Sequence, residues 1–253
     1  MSIPFLYDAE LLARGIQVYH SVDLDSHPHL LCVGATNSGK SYGLSLYLGK
    51  IAKYEPTTTL VICDFKKGSF GWLEGQDGFY GYTDCVAGID AVYAEFTARL
   101  EANDAERNSR RIVLLVDEYA ALVSSLDKKS ADDLKQKIGN MLMQGRSLKI
   151  NIVTGLQRAD SSYFHSGARD QYTAVLMLGN LSKEQKSMLA YDYRDEMDDL
   201  NAQGEGYLLL DGRGLFRVQV PHVTDTDKLR VTIARCVSPP YGGVCEATRP
   251  TDG

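Results

Sequence analysis

The sequence predicts an α/β fold, a mostly parallel central sheet with helices on both faces. Three observations predict it. Short, largely apolar runs recur at Leu30–Val33, Leu60–Cys63, Ile112–Val116, Ile150–Leu156 and Ala174–Leu178, as expected of strands buried on both faces. Stretches of helical spacing lie between them. The first run passes straight into a glycine-rich turn and then a helix-compatible stretch, and open α/β sheets bind ligands at such strand ends. A length of 253 residues fits one large domain, or one domain with a small appendage.

Taken in order, residues 1–29 read as a short lead-in, with a helix at Ala9–Arg14 and a strand at Gln17–Tyr19. Residues 30–225 form the main domain. After the strand at Leu30–Val33 a helix runs from Ser41 to about Lys53. The strand Leu60–Cys63 ends at Asp64. Val86, Ile89, Val92, Tyr93, Phe96 and Leu100 share one helical face and predict a helix over 86–103. The next helix is predicted from Ser130, as its N-cap, to Gln144, with Asp132 and Asp133 favourably placed in its first turn. Residues 183–191 read as helical, and Gly206–Val220 as a hairpin turning at Asp211–Gly214. Residues 226–253 form a C-terminal extension, expected to be partly disordered, with a tail rich in proline, glycine and small polar residues from about Ser238.

A net charge of −6 and a pI near 5.4 argue against a protein that coats nucleic acid, but not against a ring that touches it through a few loops. The five cysteines, Cys32, Cys63, Cys85, Cys236 and Cys245, are odd in number and form no CxxC pair. Buried free thiols and a reducing cytoplasm are expected. There is no signal-peptide pattern and no apolar run of about 18 residues, so membrane attachment would need another chain.

Gly34-Ala35-Thr36-Asn37-Ser38-Gly39-Lys40-Ser41 matches the phosphate-binding pattern GxxxxGK[ST] in full. A loop of this length wraps a phosphate chain with backbone N–H groups, and the following helix turns its positive end to the anion. Lys40 is then expected at the β- and γ-phosphates and Ser41 on Mg²⁺. The run Arg111–Val116 delivers Asp117 and Glu118 to a strand end. Asp117 is expected to hold Mg²⁺, and Glu118 to polarise the attacking water. Gln157, at the end of the run Ile150–Leu156, is placed to sense the γ-phosphate or orient water. Asp64, with Lys66 and Lys67 after it, forms a second charged layer near the nucleotide, an inter-subunit surface or, for the lysines, a solvated loop. ATP and Mg²⁺ are the cofactors these motifs call for.

The ordered series of motifs resembles FtsK/SpoIIIE-type DNA translocases. It comprises Asp23-Leu24, Pro28-His29-Leu30-Leu31 running into the P-loop, Asp64-Phe65-Lys66, Val116 to Leu122, Asp127-Lys128-Lys129-Ser130, Gly145 to Ile150, and Thr154-Gly155-Leu156-Gln157-Arg158. It spans roughly residues 20–223. The resemblance implies a RecA-like ATPase core, assembled as a hexameric ring that pumps double-stranded DNA. It makes Arg146 the first candidate, and Arg169 the second, for an arginine finger acting on a neighbour's ATP. It places Lys128 and Lys129 on a loop facing the pore, where they would touch DNA phosphates without reading sequence. Asn37 departs from the glycine usual in the family. No segment matches that family's membrane helices or C-terminal winged-helix module, so the expectation is a bare motor for conjugative transfer or segregation of a mobile element. A phage packaging or single-strand transfer ATPase is an alternative. So is a coupling module that binds a relaxase, a replication protein or a membrane partner.

Overall fold

The computed structural model describes residues 2–102, 110–165, 167–200 and 202–240. Its ten described strands form one sheet in the order β2-β1-β10-β9-β8-β3-β7-β6-β4-β5. They are β1 (Ser2–Asp8), β2 (Tyr19–Asp23), β3 (Leu30–Gly34), β4 (Thr59–Asp64), β5 (Phe79–Gly81), β6 (Ile112–Asp117), β7 (Ile150–Leu156), β8 (Ala174–Leu178), β9 (Glu205–Leu210) and β10 (Gly214–Gln219). The block from β8 to β5 is parallel, and β9, β10, β1 and β2 extend it antiparallel. The mostly parallel sheet predicted from the apolar runs is therefore observed.

Alternation along the central strands divides the core in two. Leu31, Val33, Val61, Cys63, Leu114 and Val116 face one layer. Leu30, Cys32, Leu60, Ile62, Val113 and Leu115 face the other. Helices α3 (Cys85–Glu101), α4 (Tyr119–Ser125) and α5 (Lys128–Gln144) cover the first layer. Helices α2 (Lys40–Tyr54) and α7 (Thr226–Ala234) cover the second, with Leu44, Leu48, Ile51 and Ile233 fully buried. Two short helices, α1 (Ala9–Ala13) and α6 (Lys183–Leu189), complete the set among the described residues.

Several expectations change. The lead-in contributes two strands to the main sheet: β1 was not expected, and the second strand lies at Tyr19–Asp23 rather than Gln17–Tyr19. Helix α5 starts at Lys128 with Asp127 as its N-cap, not Ser130. The carboxylate of Asp127 accepts from both Lys129 N and Ser130 N, at 3.0 and 3.2 Å, and from the Ser130 hydroxyl as well. A charged acceptor satisfies more of the orphan N–H groups than a hydroxyl does. The hairpin turns where expected. Residues 226–234 are helical and packed, and Ser238 still donates its N–H to Leu60 O at 3.2 Å. The tail expected beyond it, with Cys245, lies from residue 241 outside the described residues, as does residue 103 of the helix predicted over 86–103.

At the amino ends of the parallel strands, polar groups are tied down. Arg111 reaches Glu55, Asn151 and Asp25 at 2.8, 2.9 and 2.6 Å. Arg99, itself buried, donates to Leu148 O and Arg110 O at 2.7 and 2.9 Å. Asn151 donates to Leu24 O and Pro28 O, and His29 Nδ1 accepts from Ile152 N at 3.0 Å.

Candidate nucleotide site

At the carboxyl ends of the same strands, β3 ends on Gly34 and the chain wraps through Ala35–Gly39 into α2. Two residues of the wrap have left-handed backbone, Asn37 at φ 67° and Gly39 at φ 95°. Asparagine is among the few side chains that adopt this region routinely, so Asn37 fills a glycine-like position without breaking the loop. Gly34 is required by space: a Cβ there would lie 2.3 Å from Ser38 Oγ. No side chain caps the start of α2, so its first N–H groups stay available to an anion. The Ser38 hydroxyl is buried without a protein partner.

The loop opens on a cavity of about 460 Å³ bordered also by Lys66, Glu118, Gln157, Tyr42 and Gln203. Lys40, only 6% exposed, lies 2.7 Å from Asp117 Oδ1 and 3.1 Å from Glu118 Oε1. Burial alone would lower the Lys40 pKa, but the Asp117 and Glu118 carboxylates outweigh it and hold it above its ordinary value. Burial likewise favours a neutral Glu118. Bonds from Lys66, at 2.9 Å, and from Lys40 and Gln157 reverse this and hold its carboxyl below the usual range. Glu118 is therefore an anion at neutral pH, as a proton acceptor must be. Its backbone sits at φ 59°, ψ 40°, a conformation that costs about 1–2 kcal/mol in a side-chain-bearing residue and recurs at functional sites.

Asp117 is 1% exposed, and Gly155 on β7 makes room for it: a Cβ there would lie 2.3 Å from Asp117 Oδ1. Its other oxygen accepts from Ser69 Oγ at 2.9 Å, and Ser69 Oγ lies 2.8 Å from Ser41 Oγ. This is a set of hard oxygen donors. Among the described residues no group of three or more His, Cys, Asp or Glu could cage an ion. Mg²⁺ suits such a site, since it takes one or two protein oxygens and completes its shell with phosphate and water. Ser41 and Asp117 are the residues that would hold it.

The fold thus brings Gly34 to Ser41, Asp117, Glu118 and Gln157 together, with Gln157 Nε2 donating to Glu118 Oε1 at 3.3 Å. Lys66 joins them, whereas Lys67 turns away to Glu74. Arg146 and Arg169 are not brought to this cavity. Each lies in a short turn before the amino end of a parallel strand, β7 and β8 respectively. With seven residues in β7, the sheet puts about 20 Å between Arg146 and the nucleotide end. Arg146 is exposed and, among the described residues, has no side-chain partner. Arg169 makes a 3.6 Å contact with Asp170. Lys128 and Lys129 are exposed at the start of α5. The acids on the next turn, Asp132 and Asp133, pair with Lys135 and Lys137, and Asp132 also feels the charge of Lys128.

Sequence reasoning missed Ser69 and Gly155 as parts of the site. Gly155 belongs to the Thr154–Arg158 motif, and its neighbour Asp117 on the adjacent β6 is found only from the strand order.

Comparison with known proteins agrees with this geometry. Residues 9–76 match the FtsK/SpoIIIE family. The FtsK domain-containing protein YdcQ of Bacillus subtilis (strain 168) is 23% identical over 205 residues, covering 74% of this chain. The chain spans 42% of the length of that relative. Among solved structures, the conjugation coupling protein TcpA of pCW3, determined with ATPγS, superposes with a TM-score of 0.71 at 20% identity, over 93% of this chain and 69% of that one. The cytoplasmic domain of the type VII secretion ATPase EccC from Thermomonospora curvata gives 0.70 at 20% identity, over 94% and 31%. The resemblance expected from the motifs therefore holds, and the fold is that of a RecA-like P-loop ATPase. No helix among the described residues is long and apolar enough to cross a membrane.

Proposed function

We propose that this chain hydrolyses ATP as the motor domain of a ring, hexameric by resemblance, that moves double-stranded DNA in conjugative transfer or segregation of a mobile element. One observation carries the proposal: the nucleotide cavity is bordered by Lys40, Lys66, the Ser41 hydroxyl, Glu118 and Gln157, with Asp117 against Lys40, yet no arginine borders it among the described residues. The exposed Arg146 sits at the opposite end of the sheet, where a neighbour's cavity would meet it in a head-to-tail ring.

The chemistry follows from the residues. The Ala35–Gly39 backbone and Lys40 bind the triphosphate, and Lys40 exchanges the Asp117 and Glu118 carboxylates for phosphate oxygens. Mg²⁺, when bound, supplies charge neutralisation at the β- and γ-phosphates. Glu118, released from Lys40, accepts a proton from the attacking water, and Gln157 helps hold that water in line. Arg146 of a neighbouring subunit would stabilise charge on the transferring phosphoryl group, so turnover depends on assembly. The exposed lysines Lys128 and Lys129 fit contact with DNA phosphates.

The test is ATP turnover with and without linear duplex DNA at several salt concentrations. The expected result is a rise of about tenfold or more at low salt that weakens as salt displaces phosphate contacts. Turnover unaffected by duplex DNA at every salt concentration would rule out the translocase. Stronger stimulation by single strands would favour the single-strand transfer alternative.

A further inference from the structure

The loop between β4 and Trp72 carries a polar side chain into the nucleotide site that none of the expected motifs includes. Asp64 closes β4 directly opposite Asp117 in the parallel register. Its Oδ2 accepts from Ser69 N at 3.0 Å and from Phe70 N at 2.8 Å. Phe70 is fully buried, so the backbone on the far side of Ser69 is anchored as well. Lys67, at φ 53°, turns the chain, with its N–H on Asp64 O at 3.2 Å. Residues 66–68 are exposed, but Ser69 is turned inward.

Held this way, the Ser69 hydroxyl points between Ser41 Oγ, 2.8 Å away, and Asp117 Oδ2, 2.9 Å away. A carboxylate only accepts, so the single Ser69 proton goes to Asp117 and the Ser41 hydroxyl donates to Ser69. These two neighbours are the residues that fit Mg²⁺. They come from different elements, α2 and β6, 76 positions apart in the chain, and Ser69 is the side chain that bridges them.

We propose that Ser69 is a positioning residue of the metal site: it fixes the Asp117 carboxylate and the Ser41 hydroxyl in the orientation that receives the divalent cation bound with the triphosphate. Outer-shell hydrogen bonds of this kind set ligand orientation and are worth about 10- to 100-fold in metal affinity. Asp64 acts one step further out, by holding the loop that presents Ser69. The inference rests on the ATP-binding reading given above and adds a residue to it.

The experiment measures binding of fluorescent ATPγS to the full chain while Mg²⁺ is titrated, and again in EDTA, for wild type, Ser69→Ala and Ser69→Thr. In Ser69→Ala the Mg²⁺ concentration at half effect should rise about tenfold, with affinity in EDTA unchanged. Ser69→Thr keeps the hydroxyl and should restore the wild-type dependence. Mn²⁺ binding followed by electron paramagnetic resonance should weaken in parallel. A Ser69→Ala protein with wild-type Mg²⁺ dependence would overturn the role of Ser69 and leave the ATP site standing. An equal loss of affinity with and without Mg²⁺, not restored by threonine, would show a merely structural serine and also overturn it. Wild-type protein that fails to bind ATPγS would instead overturn the nucleotide reading itself.

Discussion

The two ends of the parallel strands use the same kinds of charged side chain in opposite ways. At the amino ends, Arg111 and Arg99 spend their donors on fixed acceptors, including backbone carbonyls and Asn151. At the carboxyl ends, Lys40 and Lys66 bond only to carboxylates that have another task, Asp117 and Glu118. The first arrangement has one low-energy state. The second can exchange partners: phosphate oxygens would take Lys40, Lys66 would stay on Glu118, and a cation bound with the triphosphate would face Asp117. The difference teaches how to separate structure from function here: a charged group whose partners are all replaceable is poised for a ligand, and one whose partners are not is holding the fold. Arg146 is the exception that sharpens the contrast, an arginine at the fixed end with no partner among the described residues.

The largest expected effect tests that exception. Arg146→Ala should lower DNA-stimulated turnover by about 10³-fold or more, as for other trans-acting arginines, with ATPγS affinity and thermal stability unchanged. Mixing it with a Lys40→Ala protein should restore some activity, because each mutant lacks a different half of the composite site. If Arg146→Ala turns over normally and Arg169→Ala does not, the finger moves to the second candidate.

Glu118→Gln comes next, with turnover down by about 10²- to 10⁴-fold and ATP retained. The sign of its pH dependence follows from its depressed pKa. The ion pairs of Glu118 stabilise the fold above the carboxyl's ordinary value of 4.5 and are lost as pH falls through its lower folded value. Lys40 is raised above 10.5, so its contribution is complete below that value and is lost only as pH rises through its higher folded pKa. Between these limits the wild-type network should keep its charge state, and stability should show no titration assignable to either residue.

How much of this was legible in the sequence divides along the same line. The apolar runs at Ile150–Leu156 and Ala174–Leu178 coincide with β7 and β8, which are buried along their whole length. The phosphate loop was legible because its spacing reflects backbone geometry. The first strand was hidden by Pro4, which argues against an inner strand. Its pairing with β2 shifts register between Pro4 and Leu6, and β10 pairs it only at Tyr7 and Asp8, so the missing N–H disturbs no regular ladder. Helix α7 buries just Ile233 fully, too little periodicity to detect. Ser69 had no local signal: its meaning comes from residues 28 and 48 positions away, which only the strand order brings near.

At the fixed end, Arg111→Met should cost about 3 kcal/mol of stability, the low end for removing one partner of a buried pair, because Asp25 is 64% exposed and can return to water. Chemical denaturation reads the loss, and ATPγS affinity should stay within twofold (about 0.4 kcal/mol). A matching loss of nucleotide affinity would mean that the two ends are not separable.

A smaller effect is expected from His29 at the same end. Burial lowers its pKa from 6.5 to about 4, and its Nδ1 must stay unprotonated to accept from Ile152 N. The unfolded chain takes up this proton near 6.5 and the folded one only near 4, so stability present above 6.5 is lost as pH falls toward 4. The loss between pH 7 and pH 5 should be about 2 kcal/mol. His29→Asn, whose amide oxygen can replace Nδ1 as acceptor, should flatten that slope in urea titrations.

The smallest effect is at Asn37, and it asks whether the nucleotide end depends on side chains or on backbone shape. Asn37 is exposed and left-handed at φ 67°. If the loop needs only that conformation, Asn37→Gly should change ATPγS affinity by less than about 0.5 kcal/mol, since glycine adopts it freely and asparagine readily. Asn37→Val keeps no such freedom and should weaken binding by about 1–2 kcal/mol, roughly tenfold in affinity. Equal losses for glycine and valine would mean that the Asn37 amide itself touches the nucleotide. The carboxyl end of the sheet would then owe its specificity to a side chain that the P-loop pattern leaves free.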